Sequence, residues 1–344
     1  MATKKVTGIP EVDAMLAKLN KQFEKELLSE EPFNLIGVFS TGAASLDAAL
    51  QVGGMPKGIV AEILGESQSG KTSLCLQMLA SAQQTRKAAG DFETLDAIVD
   101  MERTITEEFM LGFGIDIDKV LHFRPDNVEE ALQIMRDLPK TGKFGVMILD
   151  SVGALETAKK QQKNIGEVEV ASIAKLMHEA LRSISKIAAD TGTTFLFINH
   201  ITYKIGVLFG SPETSPGGQA LPYYSSVRFK LLSNIPSPTD PGACTMRVRI
   251  IKNKCGPPFG KDLIEFVFFY GRGVDPIAEV LEMARTLGYL RHSAGQSKIC
   301  LDLETPEWIA PGADLPKGKD ACFAWYRSHP NELQILRDLV LQHS

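Results

Sequence analysis

The run Gly65-Glu66-Ser67-Gln68-Ser69-Gly70-Lys71-Thr72 fits the pattern G-x-x-x-x-G-K-[ST]. It constrains the fold more than any other stretch, because a loop of this kind needs a strand before it and a helix after it. Both are legible. Ile59-Val60-Ala61-Glu62-Ile63-Leu64 is an apolar run that reads as a buried strand, and Ser73-Leu74-Cys75-Leu76-Gln77-Met78-Leu79 has a helical pattern. In that setting the glycines let backbone N–H groups curl around phosphate oxygens, and the helix N-terminus adds a positive dipole end. Gly65, Glu66, Ser67, Gln68, Ser69, Gly70, Lys71 and Thr72 are therefore expected to hold ATP. Lys71 should reach the β- and γ-phosphates, and the Thr72 hydroxyl should serve Mg²⁺.

Strand and helix patterns alternate beyond the loop. Leu95 to Asp100, Phe144 to Asp150 and Thr194 to His200 read as buried strands. Val128 to Leu138, with Ala131, Leu132, Met135 and Leu138 on one side, and about Val170 to Asp190 read as helices. Such alternation implies crossover connections and a mainly parallel sheet, which places ligands at the carboxyl ends of its strands. Asp100, Asp150, His200 and the phosphate loop all fall at those ends. The pattern then becomes richer in strand: Val227 to Leu232, Thr245 to Ile251 and Leu263 to Tyr270. From Pro276 it reads as helix, with Ile277, Val280, Leu281, Ala284 and Leu287 on one face. At the other end, Val12, Met15, Leu16 and Leu19 recur at helical spacing, followed by Phe23. That helix lies either on another surface or on its own core. The expected division is residues 1–35 as helix and linker, 36–275 as the core and 276–344 as a small C-terminal domain.

Two carboxylates complete the chemistry. Asp150 follows an apolar run and is expected to orient Mg²⁺ opposite Thr72. Glu102 lies just past the strand ending at Asp100, where it can polarise a water aimed at the γ-phosphate, and so is the expected base. Bulk properties narrow the rest. A net charge of −5 argues against attraction of the whole surface to nucleic acid, so any such binding must use local basic elements. The five cysteines are scattered without metal-ligand spacing, as in a reduced cytoplasmic protein. No N-terminal apolar segment resembles a secretory signal, and no apolar stretch is long enough to span a bilayer, so no membrane partner is expected.

Longer segments carry a resemblance. Ser40 to Leu50 looks like the segment before the phosphate loop in the RecA recombinases, a family that includes phage relatives of the UvsX type. Ile198 to Gly210 resembles the region of that family's second DNA-binding loop, and Ser211 to Leu221 extends the likeness. Ile251-Lys252-Asn253-Lys254 is similar to a late core signature, and Lys21-Gln22-Phe23-Glu24-Lys25 to the segment that docks on a neighbouring subunit. The fold implied is α/β: a RecA-like P-loop ATPase core with a mainly parallel central sheet, an N-terminal oligomerisation helix and a small C-terminal α/β domain. The implied function is a DNA-dependent ATPase that forms a helical filament on single-stranded DNA, pairs it with homologous double-stranded DNA and exchanges strands.

The resemblance also implies roles. Glu102, Lys71 and His200 would be catalytic, and Thr72 and Asp150 would hold the metal. Phe109 falls where the family stacks an aromatic ring on adenine, with Thr106 nearby. Lys252 and Lys254 would reach the γ-phosphate of ATP held by a neighbour. DNA would bind in a first loop of roughly Glu156 to Val170, with Lys159, Lys160 and Lys163, and a second of roughly Ile201 to Gly218. The second contains Lys204, Ile205, Val207, Gly217 and Gly218. Lys175 and Arg182, on the following helix, match basic DNA-contacting positions.

Some positions depart from the bacterial pattern. His200 stands where bacterial members carry Gln, and either side chain can hydrogen-bond towards a γ-phosphate and relay ATP state to the adjacent loop. Arg103 replaces a His beside the expected base. The chain ends without the long acidic tail of the bacterial proteins, so duplex DNA is expected to gain access more freely. Two other functions fit a P-loop: a ring-forming helicase or motor, and a weakly hydrolysing nucleotide-dependent scaffold on DNA. Lys21-Gln22-Phe23 together with Lys252-Asn253-Lys254 argues against the first, and Glu102, Lys71 and Asp150 against the second.

Overall fold

The computed structural model describes residues 37–155, 170–203, 213–238, 240–257, 263–293, 296–300, 308–309 and 319–342, together with Ala14, Met15, Ala17, Lys18 and Lys21. A short ribbon of Val38–Phe39 (β1) against Met55–Pro56 (β2) leads into the P-loop strand, Val60–Gly65 (β3). Leu95–Asp100 (β4), Val120–Phe123 (β5), Phe144–Asp150 (β6) and Thr194–His200 (β7) follow. Thr202–Tyr203 (β8) pairs antiparallel with Glu213–Thr214 (β9) as a separate ribbon. Val227–Leu231 (β10), Ile235–Pro236 (β11), Ala243–Asn253 (β12), Ile264–Phe269 (β13) and Gly273–Val274 (β14) complete a ten-stranded sheet. Its order is β14-β13-β12-β10-β3-β7-β6-β4-β5, with β11 beside β12. Every pairing from β10 to β5 is parallel, and β12, β13 and β14 continue antiparallel. This is the expected mainly parallel α/β architecture.

The central strands are mainly apolar because both faces are covered. Ile98, Ile148 and Ile198 point to one face, where they meet Leu74, Met78 and Leu79 of the P-loop helix, Lys71–Ala88. Ala97, Val99, Met147, Leu149, Phe195 and Phe197 point to the other. There they meet Val128, Ala131, Leu132 and Met135 of the helix Val128–Asp137. Met177, Leu181, Ile184 and Ala188 of the long helix, Val170–Thr191, cover the same face at helical spacing. Asn127 starts the helix Val128–Asp137: its side chain accepts the Glu130 N–H at 2.9 Å, and the Glu130 carboxylate accepts the Asp126 N–H at 3.0 Å. This reciprocal cap closes the helix N-terminus.

The C-terminal segment goes beyond its helical reading and has the mixed α/β content that the resemblance implies. The helix Pro276–Leu287 is followed by Leu290–Ser293 (β15), Gln296–Cys300 (β16) and Trp308–Ile309 (β17), which form an antiparallel three-stranded sheet. Helices Lys319–Ser328 and Pro330–Gln342 come after it. The strands escaped detection because they are short and mostly polar, with no apolar run or clean alternation. Val280, Leu281, Ala284, Tyr289, Tyr326, Leu336 and Val340 form a core of their own, joined by Ala44 from the main body. Near the N-terminus, Ala14, Met15, Ala17, Lys18 and Lys21 are helical and exposed. Val12, Leu16, Leu19 and the segment Gln22 to Lys25 lie outside the described residues. Among the described residues no helix is long and apolar enough to cross a membrane.

Candidate functional site

The loop after β3 curls as the motif demands. Gly70 has φ +89° and Gln68 φ +61°, both left-handed. At Gly65 the constraint is space, since a Cβ there would lie 2.5 Å from Ser69 Oγ and 3.0 Å from the Leu231 carbonyl oxygen. Lys71, at the first turn of the helix, folds back so that Nζ donates to the Glu66 carbonyl at 2.7 Å. Burial pulls its pKa below the ordinary lysine value, and the nearby Asp150 and Glu102 carboxylates oppose that.

The ends of β4, β6 and β7 bring three more groups to the same place. Thr72 Oγ1 donates to Asp150 Oδ2 at 2.7 Å. Burial pushes the Asp150 carboxyl up to about 6; the Thr72 hydrogen bond opposes the rise, and the neighbouring Glu102 and Asp100 charges add to it. Glu102 Oε1 accepts from two sides, from the Ser151 hydroxyl and from His200 Nε2, the latter at 3.1 Å. Burial raises the Glu102 pKa, but these hydrogen bonds and the charges of His200 and Lys71 outweigh it and leave the carboxyl below its usual value. His200 fits because residue 153 is glycine: a Cβ there would stand 2.7 Å from His200 Cδ2. Asp100, also at a strand end, turns inward instead. Fully buried, it accepts the N–H groups of Thr104 and Ile105 and so fixes the turn that carries Glu102.

These groups surround a cleft of about 300 Å³ lined by Ser67, Gln68, Gly70, Lys71, Thr72, Glu102, Asp150 and His200. A larger cavity of about 420 Å³ lies between β13 and the helix Pro276–Leu287, and none of the expected site residues lines it. The cleft suits a triphosphate and a divalent ion. Asn234 Oδ1 is buried there without a hydrogen-bond partner among the described residues. Among those residues no cluster of three His, Cys, Asp or Glu side chains can hold a metal alone.

Other expected residues stand apart from the cleft. Thr106 caps the helix Glu107–Gly112 by accepting the Phe109 N–H, and the Phe109 ring packs edge-on against Phe113 at 5.4 Å. Neither lines the cleft. Lys252 and Lys254 are also absent from its lining, and Lys252 Nζ donates to the Pro222 and Tyr223 carbonyls at 2.6 and 3.1 Å. Lys175 and Arg182 are exposed on the long helix, two turns apart on one face. Gly217 and Gly218 have φ +78° and +67° and pack closely on Val152, Met177 and Ala174. The return of the second loop therefore rests on the start of the first loop and on the long helix. Lys159, Lys160, Lys163, Lys204, Ile205 and Val207 lie outside the described residues. Arg103 turns away from the cleft and pairs with exposed Asp126 at 2.6 Å.

Sequence reasoning missed Ser151, Asn234, Met246, Phe268 and Tyr270, all of which reach the site. Ser151 had a signal, its place directly after Asp150. Tyr270 ends a legible strand. Asn234 had none, because only the folded sheet brings its loop to the cleft.

Residues 10–275 match the family model of the RecA N-terminal domain. Protein RecA of Kineococcus radiotolerans is 36% identical over 326 residues, spanning 93% of this chain and 88% of that protein. Protein RecA of Salinispora arenicola is 34% identical over 337 residues, spanning 96% and 91%. Protein RecA of Streptomyces avermitilis is 39% identical over 285 residues, spanning 81% and 73%.

Proposed function

This chain belongs to the RecA family, and from that premise we propose that it is an ATP-dependent recombination protein. It polymerises on single-stranded DNA, pairs that strand with homologous duplex, exchanges strands, and hydrolyses ATP when DNA is bound. The observation that carries this reading is the convergence of Lys71, Thr72, Asp150, Glu102 and His200 on one cleft, with His200 directly before the second loop.

The residues divide the work. Lys71 and the backbone of Gly65 to Thr72 hold the phosphates. Thr72 and Asp150 hold Mg²⁺, which when bound neutralises charge on the β- and γ-phosphates. With Oε1 of Glu102 occupied by Ser151 and His200, Oε2 remains to take a proton from water. Its lowered pKa keeps the carboxylate ionised and ready as a base at neutral pH. Tyr270, whose ring is exposed at the rim, offers a face to the base of the nucleotide, and Asn234 Oδ1 offers an acceptor. Phe109 and Thr106 would join them only if the helix Glu107–Gly112 shifts. Lys252 and Lys254, remote from their own cleft, act on the cleft of a neighbouring copy. ATP then lies at the seam between subunits and ties nucleotide state to assembly.

DNA contacts are basic side chains and backbone N–H groups that track phosphates without reading sequence. Lys175, Arg182, Lys159, Lys160, Lys163 and Lys204 supply the cations. Gly217 and Gly218 supply backbone, and Ile205 and Val207 wedge between bases. The protein acts in the cytoplasm. The test is phosphate release by the full chain with ATP and Mg²⁺, with and without single-stranded DNA. Hydrolysis stimulated by DNA supports the reading, and hydrolysis indifferent to DNA contradicts it.

A further inference from the structure

Glu62 is a carboxylate with no solvent exposure in the middle of the central sheet. The nucleotide chemistry above does not use it. Arg228, directly opposite on β10, donates Nε to Glu62 Oε2 at 2.6 Å. Asn199, fully buried on β7, donates Nδ2 to Glu62 Oε1 at 2.9 Å. Apolar side chains of similar volume would often serve stability as well as a buried ion pair, so stability alone is a weak reason for this cluster.

Its connections give a better one. The Asn199 amide also donates to the Pro216 carbonyl at 3.1 Å, and Asn199 Oδ1 accepts the His200 N–H at 2.9 Å. Pro216 lies where the second loop returns to the fold, just before the paired glycines. The same return is tied to β10 by Lys230, whose Nζ donates to the Glu213 carboxylate at 2.6 and 2.7 Å. At the other end, Arg228 faces Lys252 across β10 and β12. Lys252 Nζ rests on the carbonyls of Pro222 and Tyr223, which follow the same glycines. The amide of Asn199 has two donors, and both are engaged. Movement of Pro216 therefore leaves one buried N–H of Asn199 without its acceptor. The amide turns to pair it, its hold on Glu62 Oε1 changes with that turn, and so does the balance between Glu62 and the Arg228 cation beside Lys252.

We propose that Glu62, Asn199 and Arg228 form a positioning cluster that transmits the state of the second DNA loop to Lys252, and through it to the ATP of the neighbouring subunit. The inference rests on the loop and lysine roles proposed above. It assigns the cluster no contact with ATP or DNA.

Full-length Glu62→Gln, Arg228→Gln and the double variant test it, each assayed for ATP hydrolysis with and without single-stranded DNA, for KM of ATP, and for thermal melting. Each single variant should keep DNA-free turnover and KM within about twofold while DNA stimulation falls about tenfold, the scale of a typical coupling energy. The double variant should regain most of the stimulation, because no unbalanced charge remains beside Lys252. If Glu62→Gln does not fold, Arg228→Gln and the double variant still decide. Wild-type DNA stimulation in the single variants with only a lower melting temperature overturns the proposal. So does a double variant no better than either single. Absence of DNA stimulation in the unaltered protein would instead overturn the parent reading, and this inference with it.

Discussion

Glu102 Oε1 collects hydrogen bonds from Ser151 at the end of β6 and from His200 at the end of β7. One oxygen of the proposed base is thus oriented by the two strands that lead into the two proposed DNA loops. Glu102→Gln keeps the shape and removes the base. It should bind ATP normally and hydrolyse it about 10² to 10⁴ times more slowly, measured by phosphate release beside a nucleotide-binding assay. His200→Ala leaves the phosphate loop intact but removes the donor adjoining the second loop. DNA-stimulated turnover should fall in that variant while ATP binding persists, and unchanged stimulation would contradict the relay. At this scale the sequence is informative where spacing alone carries the chemistry, as for Lys71, Thr72, Asp150 and Glu102. It is silent where a side chain arrives from a distant strand or loop. Asn234 and Tyr270 reach the cleft only because the antiparallel strands fold beside β3.

Among the elements, β3, β4, β6 and β7 were legible because each is a mainly apolar run with both faces buried, whereas the four-residue, half-exposed β5 was not. β15 and β16 were not, since Leu-Arg-His-Ser and Gln-Ser-Lys-Ile-Cys look like loop. One buried group in β4 gives a test of packing. Asp96 pairs with Arg86 of the P-loop helix and accepts the Val146 N–H at 2.8 Å, which ties β4 to β6 where their register shifts. Burial pushes its carboxyl from 3.8 up to about 6, against the pull of Arg86 and of the Val146 hydrogen bond. A carboxyl whose folded pKa lies above its unfolded value takes up a proton on folding between the two. The Asp96 contribution to stability is therefore fully present below 3.8 and declines as the pH rises to about 6. Urea unfolding of the wild type and of Asp96→Asn across that range should show the difference, wild type minus variant, shrinking as pH rises. A constant or growing difference would contradict the assignment.

For the whole molecule, the C-terminal unit is joined to the main body through Ala44 and through the Ser45 N–H, which donates to buried Glu279 at 2.9 Å. In the proposed assembly the cleft with its phosphate loop and the Lys252–Lys254 pair outside it meet only between copies. Burial pushes Lys252 down to about 8, with Lys254 and Arg228 adding to the shift and Glu62 opposing it. Its charge is present below that value and lost above it. Nucleotide-dependent assembly on DNA, followed by light scattering, should weaken as pH rises beyond about 8. Lys252→Arg, which stays charged, should move the loss upward. Folding responds in the opposite sense, because a lysine whose folded pKa lies below its unfolded 10.5 favours the folded state as pH rises between the two. Loss of assembly at high pH is thereby separated from unfolding. Identical pH limits for the wild type and Lys252→Arg would contradict the role of Lys252.

Electron microscopy of the purified chain with single-stranded DNA, Mg²⁺ and a non-hydrolysable ATP analogue tests the shared nucleotide seam most directly. Continuous helical filaments from the wild type, and dispersed particles from Lys252→Ala with Lys254→Ala, are the predicted result. Closed rings or isolated particles from the wild type would contradict it.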